Sequence, residues 1–451
     1  MSSTLFIVLA AGKGTRMKSS LPKVMHKIAG TSMLDICINK ILSITIASKD
    51  RIIIVCSEEN IEEIQLKYKD FDNIFFTIQE QRLGTGHAVR LAVDYATVNL
   101  NNNFINIGVI YADSPLFNPQ TLKELACGKG DVNFAGFKDN NPECKFGRFV
   151  FNEKHELIDI VEFKDASLEQ RQNLNIFNSG FVGGRLNAFK TLLPLIKNNN
   201  NAGEFYLTDL VKLAWQNNFT TNFVICEKTE TFGVNDKIDL SVAEEMMQNE
   251  LRQNFMIKGV TLTDPKSVFF SLDTIIEHDV TIEPNVFIGA GVVIKSGSII
   301  KSFSYLEGVC IQGASIGPFA RVRGKSIIAK DVKIGNFVEV KNSNLEKGVK
   351  AGHLSYIGDA NIGRDTNIGA GVVFCNYDGV SKHRAKVGSN VFVGSNASII
   401  SPVNIGNSSL IAAASVVDND VADDAIYISR PQGKIAKQSA SQYFAKKSKK
   451  N

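Results

Sequence analysis

Gly12, Lys13, Gly14, Thr15, Arg16 and Lys23 crowd two glycines and three cations into a short stretch directly after the apolar run LFIVLA. Backbone N–H groups freed by glycine can approach phosphate oxygens closely, and the nearby cations offset the charge. The stretch AAGKGTRM is not a Walker A loop, which needs four residues between its first Gly and a Gly-Lys-Ser/Thr. Nor is it a dinucleotide fingerprint, because Met17 stands where a third glycine belongs. Asp113, in YADSP, follows the apolar run INIGVIY; a carboxylate there serves either as a hard oxygen ligand for Mg²⁺ or as a turn residue. His353, in KAGHLSYIGDA, carries an imidazole able to take a proton from an amine near neutral pH. A structural histidine is the competing reading.

The segments that hold these groups are written in two different periods. In the first half, LFIVLA, RIIIVCS, IFFTIQE and INIGVIYAD read as buried strands, and SMLDICINKIL and GTGHAVRLAVDYATV between them read as helices. Strand–helix alternation implies a mostly parallel sheet with helices on both faces, an α/β Rossmann-like layout. Ligands gather at the carboxyl ends of such strands, where LAAGKG and YADSP both fall. Residues 238–256 lack Gly and Pro and predict a long helix, so the chain divides into 1–237, a helical linker 238–258, and 259–451.

Beyond the linker, Ile or Val is followed by Gly nine times between Ile288 and Gly406, against two such pairs in the first 287 residues. Apolar residues also recur every six positions: Ile282, Ile288 and Ile294; Ile328, Ile334 and Val340; Ile362, Ile368 and Phe374; and the run Val387, Val393, Ile399, Ile405, Ile411, Val417. A helix cannot explain this ladder, because its faces recur near 3.6 residues. Stacked coils do, each hexad giving one short strand with its apolar residue inward and the following glycine permitting the turn. The ladder slips through Val340, Leu345, Ala351, Ile357 and Ile362, and His353 sits at that slip.

Composition bounds the partners. A net charge of +4 on 451 residues is too small to argue for nucleic acid, and 44% hydrophobic with 21% charged residues is ordinary for a soluble chain. Lys446, Lys447, Lys449 and Lys450 read as a solvated end. No stretch is long enough to span a membrane. Seven dispersed cysteines without C-x-x-C spacing fit reduced thiols in a cytoplasm.

L-x-A-G-x-G-T-R-M followed by L-P-K resembles the signature of nucleotidyl-sugar pyrophosphorylases. Joined to a hexad-repeat half, it resembles the bacterial family of bifunctional N-acetylglucosamine-1-phosphate uridyltransferases/glucosamine-1-phosphate acetyltransferases, over about residues 5 to 432. The likeness implies a left-handed parallel β-helix for the second half and two reactions of UDP-N-acetylglucosamine synthesis. It places Leu9, Ala10, Ala11 and Gly12 along the nucleotide, Arg16 and Lys23 on its phosphates, and Gln79, Gly84 and Thr85 of QEQRLGTGHA on uracil. Tyr111, Ala112 and Asp113 would border the sugar nucleotide, with Asp113 and Asn235 as Mg²⁺ ligands and Gly147, Glu162 and Asn178 on the sugar. In the second half it implies His353 as general base, with Glu339 offered as its orienting partner. Arg323, Lys341, Tyr356 and Asn367 would hold the sugar phosphate; Ala370, Asn376, Tyr377, Ser395, Ala413 and Arg430 would hold acetyl-CoA. It further implies UTP as co-substrate and a homotrimer. Ala112 departs from the family's usual glycine, adding a methyl near the ligand. The rival readings are a pyrophosphorylase for another sugar, and a second half that serves only as a scaffold.

Overall fold

The computed structural model describes residues 3–100, 104–200, 203–431, 433, 435 and 439–447. Of the basic tail, Lys449 and Lys450 lie outside the described residues, and Ala440–Lys447 forms a short helix. The chain parts into two compact units, Met1–Met247 and Gln248–Asn451, with the division inside the 21-residue helix Lys237–Ile257.

The first unit is built on a sheet whose strand order is Thr221–Ile225, Val132–Lys138, Ile176–Arg185, Asn106–Tyr111, Thr4–Leu9, Arg51–Cys56, Ile74–Ile78. All neighbours in that order are parallel except Ile176–Arg185, which runs antiparallel to both strands beside it. The central strands are apolar along their whole length because helices cover both faces: Ile52 to Cys56 are fully buried. Helix Met33–Leu42 starts where the Ser32 side chain accepts the Asp35 N–H at 3.2 Å. Helix Thr85–Asn99 starts at Gly84, where φ is +104° and a Cβ would sit 2.7 Å from the Phe205 carbonyl oxygen, so no side chain is admitted.

The second unit is a coil of short parallel strands with three faces. One face stacks ten strands from Thr261–Leu262 to Ile426–Tyr427; the other two are joined through the longer strands Tyr305–Gln312 and Arg321–Ile328, which continue around an edge. Every residue of the six-step ladder is buried, from Ile282 to Val417, and Phe374 fills the interior with no exposure. The architecture is the left-handed parallel β-helix of hexapeptide repeats.

The glycines of the ladder play a different part from the one expected. Of the nine that follow Ile or Val, only Gly317 has a positive φ, at +93°. The left-handed edge positions fall instead on residues such as Asn285, Phe319, Asp331 and Asn390. Glycine is needed because the next coil lies directly above: a Cβ on Gly335 would sit 1.9 Å from the Gly352 carbonyl oxygen, and one on Gly394 would sit 2.4 Å from the Ala413 nitrogen. Close stacking, not turning, fixes them.

Candidate active sites

At the carboxyl ends of Thr4–Leu9 and Asn106–Tyr111, a cleft is lined by Leu9, Ala11, Gly12, Gln79, Arg82, Gly84, Thr85, Tyr111, Asp113 and Glu204. A Cβ on Gly12 would meet nothing within 4 Å, so its backbone faces open space; Gly14, with φ +62°, packs on the Lys23 stem. Ala10 and Ala112 are instead buried in the core cluster with Cys37 and Phe117. The methyl that distinguishes Ala112 therefore points away from the ligand space.

The cations converge on two oxygens. Lys23 Nζ lies 2.5 Å from the Asp113 carboxylate and donates to Asn235 Oδ1 at 3.3 Å; Arg16 donates to the same oxygen at 3.0 Å. Asn235 is brought there because the Val234 N–H donates to the Asp113 carbonyl at 2.8 Å. Its amide nitrogen donates to the Gly233 carbonyl at 3.3 Å, which leaves Oδ1 for the cations. A carboxylate and an amide oxygen thus already share one positive point, a donor set suited to a hard divalent cation.

Beside them, Gln79 Nε2 donates to the Gly84 carbonyl at 3.1 Å and lies 3.2 Å from His87 Nδ1, so Oε1 is the atom left for a ligand. Burial, with Arg90 adding to it, lowers the proton affinity of His87 and favours its neutral form. Tyr111 connects this end to the next: burial first, then Asp113, pushes its phenol up to about 12, and Thr85 and Glu162 both lie close enough to act on it. Gly147, Glu162 and Asn178 are brought together. The Asn178 N–H donates to the Gly147 carbonyl at 2.8 Å, and a Cβ on Gly147 would meet the Glu162 carboxylate at 3.2 Å. The protein around Glu162, then Asp165 and Asp209, raise its proton affinity above the ordinary glutamate range.

On the β-helix, one edge carries a column. The strand register pairs Asn336 with His353. From His353 the same position recurs on successive coils at Ala370, Ser395 and Ala413, and the Arg430 guanidinium reaches the last of them from the turn beyond. The edge is tied coil to coil by Gly371 N–H to the His353 carbonyl (3.4 Å), Asn396 N–H to Ala370 (2.8 Å), Ala414 N–H to Ser395 (2.8 Å) and Arg430 to Ala413 (2.7 Å). His353 projects outward, and its Nδ1 lies 2.6 Å from Asn336 Oδ1. An oxygen acceptor there requires the proton on Nδ1 and leaves Nε2 as a base. Glu339 does not make that contact. Its carboxylate is held by Arg323, through both Nε and a terminal nitrogen at 2.7 Å, because the register sets the two side chains on neighbouring strands. Asn336 therefore takes the orienting place expected of Glu339.

Arg323 and Lys341 are register partners, and Lys382 stands against Lys341, lowering its proton affinity; Arg323 adds to the effect. Three cations on one surface suit a phosphate monoester. Tyr356 pairs with Glu339 on this face, whereas Asn367 belongs to the face that ends at Ala370. Asn376 is buried against Asp359, and Tyr377 is exposed on the loop that leaves the coil between Cys375 and Ala385.

The profile of the MobA-like NTP transferase domain matches residues 6–143. Bifunctional protein GlmU of Ruegeria sp. (strain TM1040) is 42% identical over 95% of this chain and 94% of its own length. Those of Paracoccus denitrificans (strain Pd 1222) and Zymomonas mobilis are 40% and 39% identical, each over 94% of this chain and 93% and 94% of their own lengths. The chain belongs to the GlmU family. It is a bifunctional enzyme, uridyltransferase and acetyltransferase, with the matched NTP transferase region in the first unit. GlmU membership accounts for two clusters of chemically distinct residues on two separately packed units. Sequence reasoning missed four contributors: Arg82, which donates to the Ala11 carbonyl at 3.0 Å, Glu204, Asn336 and Lys382. Arg82 lies between Gln79 and Gly84, inside QEQRLGTGHA, where a cation beside the uracil segment could have been noticed; the others carry no local signal. No helix among the described residues is long and apolar enough to cross a membrane.

Proposed function

We propose that the β-helix acetylates glucosamine-1-phosphate with acetyl-CoA and that the α/β unit then transfers UMP from UTP to the N-acetylated product, releasing pyrophosphate. In the first step His353 Nε2 takes the proton from the sugar amine as nitrogen attacks the thioester carbonyl, and coenzyme A leaves as its thiol. Arg323, Lys341, Tyr356 and Asn367 hold the sugar phosphate. Ala370, Asn376, Tyr377, Ser395, Ala413 and Arg430 hold the acyl donor along the edge column.

In the second step a phosphate oxygen of the sugar attacks the α-phosphorus. Arg16 and Lys23 offset charge on the triphosphate, the Gly12 backbone approaches it, and the Gln79 Oε1 and the Gly84 backbone read uracil. Gly147, Glu162 and Asn178 hold the sugar. Mg²⁺ fits the oxygen pair of Asp113 and Asn235, and when bound would draw charge from the phosphoryl oxygens. Phe303, Phe319 and Phe337, about half exposed and stacked on successive coils at 4.8 and 5.2 Å, support assembly as a homotrimer beside the His353 edge. The dispersed free thiols support a cytoplasmic site of action.

The observation that carries the reading is the separation of the two clusters onto two units. A coupled assay with acetyl-CoA, glucosamine-1-phosphate, UTP and Mg²⁺ tests it, with N-acetylglucosamine-1-phosphate supplied in a parallel reaction so that UMP transfer is read independently of acetylation. His353→Ala should abolish acetylation and spare UMP transfer, and Lys23→Ala should do the reverse; equal loss of both activities in either variant refutes it.

A further inference from the structure

Arg148 has no exposure at all, yet no carboxylate lies within ion-pair distance of it among the described residues. Its terminal nitrogens donate to the Pro142 carbonyl at 2.6 Å and the Phe146 carbonyl at 3.4 Å, and its Nε has no partner. A buried guanidinium is costly unless something replaces its water. Here two aromatic faces do so: the guanidinium carbon is 4.9 Å from the Phe177 ring centre and 5.3 Å from that of Phe163.

The pile continues at both ends. Arg171 lies over the Phe163 ring at 4.1 Å and donates to the Phe163 carbonyl at 2.9 Å. Phe137 stacks on Phe177 at 5.5 Å with ring planes 24° apart. Cation and ring alternate through Arg171, Phe163, Arg148 and Phe177, with Phe137 beneath. The members come from helix Leu168–Asn173, the segment after Leu157–Val161, strand Arg148–Phe151, strand Ile176–Arg185 and strand Val132–Lys138.

Three of these residues are chain neighbours of the three residues assigned to the sugar: Arg148 follows Gly147, Phe163 follows Glu162, and Phe177 precedes Asn178. Those three come from separate segments, and one Asn178-to-Gly147 hydrogen bond is the direct backbone tie between them. We propose that this alternating stack is the positioning device of the sugar-phosphate subsite, with Phe163 setting where the Glu162 carboxylate stands relative to Gly147 and Asn178. The proposal rests on the reading of Gly147, Glu162 and Asn178 as the sugar subsite. The stack residues do not touch the sugar; they hold the segments whose next residues do.

Phe163 is half-buried, so Phe163→Leu keeps apolar volume and removes only the ring faces. In full-length Phe163→Leu, KM for N-acetylglucosamine-1-phosphate should rise about tenfold while KM for UTP and the acetyltransferase rate stay unchanged. Phe163→Tyr, which restores both faces, should return the sugar-phosphate KM to its original value. General loosening of the unit would move both KM values or only the active fraction. An unchanged sugar-phosphate KM in Phe163→Leu, an equal rise for UTP, or no rescue by Tyr overturns the proposal. Glu162→Gln run in parallel separates the two layers of the argument. If it raises the sugar-phosphate KM and Phe163→Leu does not, the stack fails as a positioning device alone. If Glu162→Gln leaves that KM unchanged, the subsite reading fails and the proposal falls with it.

Discussion

Replacing Asn336 with leucine removes the acceptor that lies 2.6 Å from His353 Nδ1 while keeping the branched heavy-atom skeleton of the side chain. The bond joins two neutral groups and the imidazole is exposed, so its net worth is that of an ordinary hydrogen bond, about 0.5–1.5 kcal/mol. If the bond serves to keep Nε2 free and aimed at the amine, that energy appears in the acylation barrier. At about 1.4 kcal/mol per factor of ten, Asn336→Leu should slow acetyl transfer between about twofold and about twelvefold. Asn336→Asp makes the opposite kind of change: a carboxylate on Nδ1–H favours the imidazolium, so the acid limb of the rate profile should move to higher pH. The measurement is thiol release from acetyl-CoA with glucosamine-1-phosphate, taken from about pH 6 to about pH 9, alongside UMP transfer on the same preparations. An Asn336→Leu enzyme with native kcat and native pH profile refutes the orienting role. So does a parallel fall in UMP transfer, which would signal damage to the whole chain.

His87→Leu leaves one proton of the Gln79 amide without its acceptor, so preference for UTP over CTP should fall about tenfold, with His87→Asn retaining most of it; competition assays with the two nucleotides decide. Because the Glu162 carboxyl holds its proton above the ordinary glutamate value, the sugar-phosphate KM should begin to rise on acidification before a normal glutamate would protonate, and a Glu162→Gln enzyme should lack that limb. Phe374→Ala empties a fully buried position inside the coil and should cost about 3–5 kcal/mol, read from denaturant unfolding; a loss below about 1 kcal/mol contradicts a tightly filled interior. Alkylation at mildly alkaline pH should reach exposed Cys127 first, while buried Cys56, pushed up to about 12, and Cys37, pushed up by burial, stay unmodified in peptide maps.

The elements near these sites were written plainly in the chain. LFIVLA, RIIIVCS and INIGVIY are strands because their β-branched residues are covered on both sides, and the six-step ladder is buried throughout because each coil encloses a narrow interior. What the sequence hid depends on distance across the fold. Periodicity reports what a segment does locally; which residues meet on adjacent coils depends on coil lengths, and those vary. Ser315 stacks on Ile299 after 16 residues, but Phe392 stacks on Asn367 after 25, because the loop carrying Tyr377 intervenes. Asn336 could be matched to His353 only once the coil between them was known to hold 17 residues. Glu339 was the expected partner, yet its register places it beside Arg321 and diagonal to Arg323, which takes its carboxylate. The glycines of the Ile-Gly pairs misled for a related reason: φ freedom is a property of one residue, whereas the approach of Gly352 to Gly335 is a property of two coils. The Arg148 stack joins five segments and has no signature in any of them.

The edge that begins at His353 is graduated like a ruler. Parallel strands stack at about 4.8 Å, so the three steps from His353 to Ala413 span about 14 Å whatever loops leave the coil between them. Under the proposed acetyl transfer, a cofactor gripped at the far end of this edge delivers its reactive group to the His353 imidazole only if its arm has that length. Reach is therefore selected in whole rungs: adding or removing one coil would carry the acyl carbon past the imidazole, or leave it short, by a distance no side-chain substitution spans.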